Sequence, residues 1–253
     1  MPFAISLFRR ERTEWGQSRE ELVMSSHKKI TISKNGPYLV SGSVPLAFQT
    51  IGVNKGGEST EWIEGDALPA SAQYALCRCG QSKTKPFCDG THAKIGFDGT
   101  ETASHEPIME QAQLLDGPTM RLADAEVLCA FARFCDPHGQ VWNQVKSTDD
   151  SKERAQFIRQ VGNCPSGRLI AVDKETGKAV EPKLPESIGV VEDPAQKCSG
   201  PLWVRGGIAL ISADGQAYEV RNRMTLCRCG RSENKPFCNG AHAADPKFRD
   251  GLR

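Results

Sequence analysis

Cys77-Arg78-Cys79-Gly80-Gln81-Ser82-Lys83-Thr84-Lys85-Pro86-Phe87-Cys88-Asp89-Gly90-Thr91-His92 returns 150 residues later. The second copy reads Cys227-Arg228-Cys229-Gly230-Arg231-Ser232-Glu233-Asn234-Lys235-Pro236-Phe237-Cys238-Asn239-Gly240-Ala241-His242. Both have the spacing C-x-C-x8-C-x3-H, and from Cys77 to Ala93 twelve of seventeen positions repeat unchanged. Three thiols and one imidazole at fixed short spacing are a metal-ligand set. A C-x-C pair reaches one metal from a short extended segment. A C-x3-H pair suits a turn that runs into a helix start. Gly90 and Gly240 supply the positive φ such a turn needs, and Asp89 or Asn239 serves as N-cap. Soft thiolates suit iron–sulfur clusters and zinc alike, so spacing alone leaves Cys3His zinc knuckles open.

The whole motif resembles the CDGSH iron–sulfur (NEET) family, whose signature is C-x-C-x2-[ST]-x3-P-x-C-D-G-x-H. The first copy fits throughout, with Ser82 and Pro86 in place. The second fits at Ser232 and Pro236 but carries Asn239 where the family has Asp. The resemblance implies two [2Fe-2S] clusters, each with two thiolates on one iron and Cys plus His on the other. Carried over, the ligands are Cys77, Cys79, Cys88 and His92, then Cys227, Cys229, Cys238 and His242. It also implies an intramolecular pseudo-dimer, because members of this family are often homodimers whose units pair their strands. Two independent beads on a string is the competing arrangement. Fusion removes the concentration dependence of a self-complementary interface.

The 253 residues suffice for one large core or two to three small ones. A net charge of +1 without charge blocks argues against a nucleic-acid surface. No stretch approaches the roughly 20 apolar residues of a membrane span. Pro2 to Phe8 is apolar, but its arginines follow it, the reverse of a secretory signal, and early glutamates argue against a transit peptide. A cytoplasmic location is expected. Ten cysteines in a reducing compartment then mean metal or redox chemistry more than disulfides.

The duplication reaches beyond the metal motif. Gly36-Pro37-Tyr38-Leu39-Val40-Ser41-Gly42 parallels Gly200-Pro201-Leu202-Trp203-Val204-Arg205-Gly206. The first copy carries about 14 extra residues before its C-x-C, placed between Gly52 and Asp66. Each unit reads as short strands between Gly and Pro punctuation. The expected fold is α+β: an N-terminal arm at 1–24, a β-rich first unit at 25–104, an inserted α+β subdomain at 105–187 and a β-rich second unit at 188–253. In the insert, Leu122 to Phe134 reads as a buried helix ending near Cys135, where Pro137 disfavours continuation. Asp149 to Val161 reads as a second helix, and Arg168–Val172 with Lys178–Val180 as a hairpin.

Cys129, Cys135, Cys164 and Cys198 lie outside the motifs. Cys129-x5-Cys135 and Cys164-Pro165 loosely resemble pieces of divergent single-cluster ferredoxin domains. On an unbroken helix, however, Cys129 and Cys135 stand about 120° apart, so buried inert thiols are expected ahead of a third metal centre or a redox pair. Arg221 and Arg223 are expected on an exposed strand face or paired with acids, with a place beside a cluster as the sharper alternative. Trp203 is expected in the core. Lys85 and Lys235 are expected in solvent or facing a partner.

A neutral imidazole in place of one thiolate makes a cluster easier to reduce and offers a ligand that titrates in mild acid. The expected function is one-electron or cluster transfer to a redox or cluster-acceptor protein, by a monomeric carrier that is not an enzyme. Alternatives are an oxidoreductase component with a site in the insert and a zinc-stabilised interaction protein. Asn239 in place of Asp makes the two centres inequivalent.

Overall fold

The computed structural model describes residues 27–244 and 248–250. The arm expected at 1–24 lies outside them. Among the described residues twelve strands form three sheets, and the order of strands shows how the repeats are joined. β1 (Lys29–Ile32), β2 (Tyr38–Ser41) and β5 (Gln73–Leu76) belong to the first unit. β9 (Ser187–Asp193), β10 (Cys198–Arg205) and β12 (Arg223–Leu226) belong to the second. Each trio is antiparallel, and each takes its next strand from the other half. β11 (Ala209–Ile211) joins β1 in parallel, Ile30 opposite Leu210. β3 (Leu46–Val53) joins β9 in parallel, Ala47 opposite Gly189. The sheets therefore run β11-β1-β2-β5 and β12-β10-β9-β3-β4.

Alternation decides which faces meet. β1 buries Ile30 and Ile32, and β2 buries Tyr38 and Val40, as a strand with one covered face requires. One apolar cluster draws Ile30, Val40 and Leu76 from the first unit together with Ile188, Leu202, Leu210 and Leu226 from the second. Ala123, Leu128 and Ile170 of the insert pack into the same cluster. Units of about 60 residues bury too little apolar surface to be robust alone; a common core answers that shortage.

The extra residues of the first repeat are a strand, not a loop excursion. β4 (Ser59–Ala67) pairs with β3 around a turn in which Asn54 Oδ1 accepts from the amides of Gly56 and Glu58. It lays Trp62 on Trp203, ring centroids 4.4 Å apart, and on Phe134, 4.8 Å apart. Trp203 is in the core, as expected.

The insert departs from the sequence expectation at its first element. Leu122 to Phe134 is not a helix. β7 (Met120–Asp124) stands between β6 (Gln113–Asp116) and β8 (Leu169–Asp173), antiparallel to both. A short 3-10 turn at Glu126–Leu128 follows. The chain then reverses hand twice, at Phe131 (φ 58) and Arg133 (φ 62), which no helix accommodates. The run is apolar because both faces of β7 are covered, and such a run has no period that distinguishes it from a buried helix. The second helix forms at Ser151–Asn163. Its N-cap is Asp150, whose Oδ1 accepts from the Lys152 and Glu153 amides at 2.8 and 3.0 Å. Pro165 ends it by holding Cys164 extended. The hairpin is present in outline, with the Val180 amide on Ala171 O at 2.7 Å.

Candidate metal centres

In both units a strand delivers the first thiol and a cross-link fixes the third. β5 ends at Leu76, so Cys77 and Cys79 follow on an extended lead. The Cys77 amide donates to Pro86 O at 2.8 Å, and the Cys88 amide returns to Ala75 O at 2.9 Å. β12 does the same in the second unit, with Cys227 on Pro236 O at 2.8 Å and Cys238 on Thr225 O at 2.9 Å. Ser82 and Ser232 hydroxyls donate to Phe87 O and Phe237 O, each at 2.6 Å, closing the loop between the thiols. Lys85 and Lys235 do not project freely: each Nζ donates back to a serine carbonyl at 2.7 Å. Gly90 and Gly240 turn the chain at φ 82 and 84. Asp89 Oδ1 then accepts from the Thr91 amide at 3.0 Å and Oδ2 from the Lys83 amide at 2.8 Å. These amides, that of Lys83 first, hold the exposed Asp89 carboxyl below the usual range. Asn239 keeps the amide contact, accepting from Ala241 at 3.2 Å.

All eight expected ligands come together in their own unit, in pairs. Cys77 and Cys79 sulfurs are 3.8 Å apart, and Cys227 and Cys229 sulfurs 3.7 Å. Cys88 Sγ is 3.3 Å from His92 Nδ1, and Cys238 Sγ is 3.4 Å from His242 Nδ1. Among the described residues no three metal-ligating side chains converge on one ion position. Each pair offers donors of the kind that iron–sulfur and zinc centres both use. Burial pushes the Cys79 thiol up to about 11. The second unit is drier: Cys238 and His242 are buried, whereas Cys88 and His92 are half-buried. Burial pushes Cys238 well up and draws His242 down to about 4, with Arg228 and Arg133 adding to the latter.

The two loops touch. A Cβ on Gly80 would stand 2.4 Å from Cys229 O, and one on Gly230 2.6 Å from Cys79 O. Tyr38 of the first unit donates its hydroxyl to Cys227 O at 2.8 Å and Pro236 O at 3.0 Å, in the second unit's ligand loop. Its repeat partner by the shared Gly-Pro is Leu202, so this bond has no reciprocal. The C-x-C arginines are buried in both units. Arg78 Nε and Nη1 have no hydrogen-bond partner, and an orphaned buried cation fits an anionic group held by the flanking thiols. Sequence reading passed over Tyr38 and both arginines; recurrence inside the C-x-C was the available signal for the arginines, and Tyr38, replaced by Leu202 in the second copy, carried none.

A third group of thiols gathers in the insert. Cys129, Cys135 and Cys164, with Pro165 and Arg168, line one small pocket. The expected separation of Cys129 and Cys135 rested on a helix that does not form. Burial pushes Cys135 up to about 12, and the neighbouring Asp136, Cys164 and Cys129 add to it. Cys198 lies apart on β10, pushed up to about 11 by burial and Asp193. The group abuts the second unit: a Cβ on Gly240 would stand 3.3 Å from Cys129 O. Arg223 is buried, not on an exposed strand face, and pairs with Glu181 at 2.6 Å while donating to four carbonyls of the insert. Arg221 lies over the Phe237 ring at 4.7 Å, and burial draws it down to about 10.

No helix among the described residues is long and apolar enough to cross a membrane. The family described as iron-binding zinc finger, CDGSH type, matches residues 35–93 and 199–243. The family described as divergent 4Fe-4S mono-cluster matches residues 115–174, a span that holds Cys129, Cys135 and Cys164 and omits Cys198. No curated protein and no solved structure matches the chain. Two complete ligand loops, each inside one of the matched segments, make this chain a CDGSH iron–sulfur family protein with two CDGSH domains.

Proposed function

We propose that the chain is a one-electron carrier built as a single-chain pseudo-dimer. In this reading Cys77, Cys79, Cys88 and His92 hold one [2Fe-2S] cluster, and Cys227, Cys229, Cys238 and His242 hold the other. The observation that carries it is the pairing of ligands in each unit, thiol with thiol and thiol with imidazole, at 3.3 to 3.8 Å. The exchanged parallel strands and the reciprocal approach of Gly80 and Gly230 support the pseudo-dimer. Each bound cluster accepts and returns one electron. Arg78 and Arg228 supply buried positive charge beside the thiolates, and Asp89 and Asn239 brace the turn that presents each histidine.

Cys129, Cys135 and Cys164 form a third iron–sulfur site of the mono-cluster type, supported by their common pocket and the matched segment. The partner is a redox protein that approaches the first unit, where Cys88 and His92 are half-buried beside the exposed Ile95. The same exposure favours cluster transfer to an acceptor as a second reading. The chain acts as a carrier and not as a catalyst.

The test is iron, zinc and acid-labile sulfide per chain, on protein purified without air. About four irons and four sulfides correspond to the two paired sites, and six to eight irons to a third centre as well. About two zincs without sulfide would make the chain a zinc-stabilised protein and end the redox reading.

A further inference from the structure

Each C-x-C pair encloses an arginine, and the two arginines meet opposite surroundings. Arg228 donates from Nε to Gly200 O at 2.7 Å and from Nη2 to Val191 O at 3.0 Å and Glu192 Oε1 at 2.9 Å. Its Nη1 pairs with Asp250 Oδ2. The Glu192 and Asp250 side chains are 4 and 5 % exposed, so two buried carboxylates answer one guanidinium. Arg78 is equally buried, at 2 % exposed. It donates only from Nη2 to Gly99 O at 2.6 Å and otherwise lies against the Tyr38 and Phe97 rings. Among the described residues no carboxylate pairs with it. Asp98, whose carboxyl it helps to hold down, is exposed, and the half-buried Glu101 accepts from the Ala213 amide at 2.9 Å and the Tyr218 hydroxyl at 3.0 Å.

Buried charges act at far shorter electrical distance than solvated ones. The first centre therefore carries an uncompensated buried cation between two of its ligands. The second carries a cation faced by two buried carboxyl groups, Asp250 and Glu192; burial pushes Glu192 up and Arg228 draws it back. Reduction adds one negative charge to a centre, so the first is favoured. Burial acts in the same sense, because Cys238 and His242 are buried where Cys88 and His92 are half-buried, and a low-dielectric site resists added charge. Asp89 opposes this in the first unit, where Asn239 is neutral in the second, but its carboxylate is in water and screened. Arg133, near His242, is held bidentate by Asp193 at 2.6 and 3.1 Å. Arg221 bears on Cys164 and Glu219.

The geometry points to an ordered pair: the first centre has the higher reduction potential, and the pairing state of the C-x-C arginine sets the order. Arg78 and Arg228 are tuning residues that touch no iron. One electron from a reductant such as dithionite, or from the reduced second centre, settles on the first with no bond formed or broken. This inference rests on the two-cluster reading above.

The test is a dithionite titration of the loaded protein followed by electron paramagnetic resonance. His92→Cys and His242→Cys assign the signals, since each changes the ligand set of one centre. At potentials where both centres are partly reduced, the first should show at least a tenfold higher reduced-to-oxidised ratio, about 59 mV for one electron. Arg78→Gln should lower the first potential and leave the second in place, and Arg78→Lys should restore most of the difference. Asp250→Asn and Glu192→Gln should raise the second potential. Equal or reversed potentials would overturn the inference, as would an unmoved first potential in a folded Arg78→Gln. If Arg78→Gln does not fold, Asp250→Asn decides alone: an unmoved second potential rejects the role of the pairing. Parent protein without labile sulfide would defeat the two-cluster reading itself, whereas two loaded centres of equal potential would defeat this inference only.

Discussion

Tyr38→Phe should loosen the second CDGSH loop, although the residue belongs to the first. The hydroxyl is buried and donates to Cys227 O and Pro236 O. Pro236 O keeps another donor, the Cys227 amide at 2.8 Å. Cys227 O loses a partner in a dry place. A net hydrogen bond contributes about 1 kcal/mol, and an unsatisfied buried carbonyl costs about 1–3 kcal/mol. The ring stays, so its apolar burial is unchanged, and the expected loss is about 2 kcal/mol. If chelators take iron from a locally opened loop, 2 kcal/mol multiplies the open population by about 30. The assay is loss of visible absorbance under excess chelator in anaerobic buffer, with the two centres separated by their resonance signals. The second centre should be lost about 30-fold faster and the first little changed. Equal acceleration of both centres, or none of the second, would refute the claim that this hydroxyl bridges the units.

In the parent protein the same chelator should empty the first centre before the second, because Cys88 and His92 are half-buried and Cys238 and His242 are buried; simultaneous loss would contradict this. Gly80→Ala should cost more than about 2 kcal/mol in guanidinium unfolding, since its φ of +74 disfavours a side chain and the new Cβ would press on Cys229 O at 2.4 Å. Gly57→Ala, at φ +82 in open space, should cost only about 1 kcal/mol, and equal losses would dismiss the contact. Cys129→Ser, Cys135→Ser and Cys164→Ser should each lower iron content by about two to four per chain while about four remain. Cys198→Ser should change nothing, and iron analysis of the four variants decides.

The ligand loops were legible because their determinants are local. C-x-C follows a strand, Ser82 and Ser232 tie a five-residue turn, and Gly90 and Gly240 reverse the chain, all within sixteen residues. The apolar run Leu122 to Phe134 was not legible, because a strand covered on both faces and a buried helix draw on the same residues. That one misreading separated Cys129 from Cys135. Once the helix is replaced by a turn with positive φ at Phe131 and Arg133, both line one pocket with Cys164.

The surroundings of the two arginines show why near-identical motifs yield inequivalent sites. Ile32 stands opposite Tyr38 on β2, and Val190 stands opposite Leu202 on β10. By that register Glu192 takes the place that Lys34 holds in the first unit. Counted from the Cys-Arg-Cys, Asp250 takes the place of Thr100. The repeat thus keeps its arginine but exchanges both carboxylates, one for an exposed lysine and one for a threonine. Each difference lies outside the sixteen-residue motif, and the Glu192 one is visible only when strand register is known. A search for cluster ligands has no reason to weigh these positions, yet they decide how much buried charge each ligand set faces. The repeat preserves the three thiols and the imidazole, and the flanks are where its two copies differ.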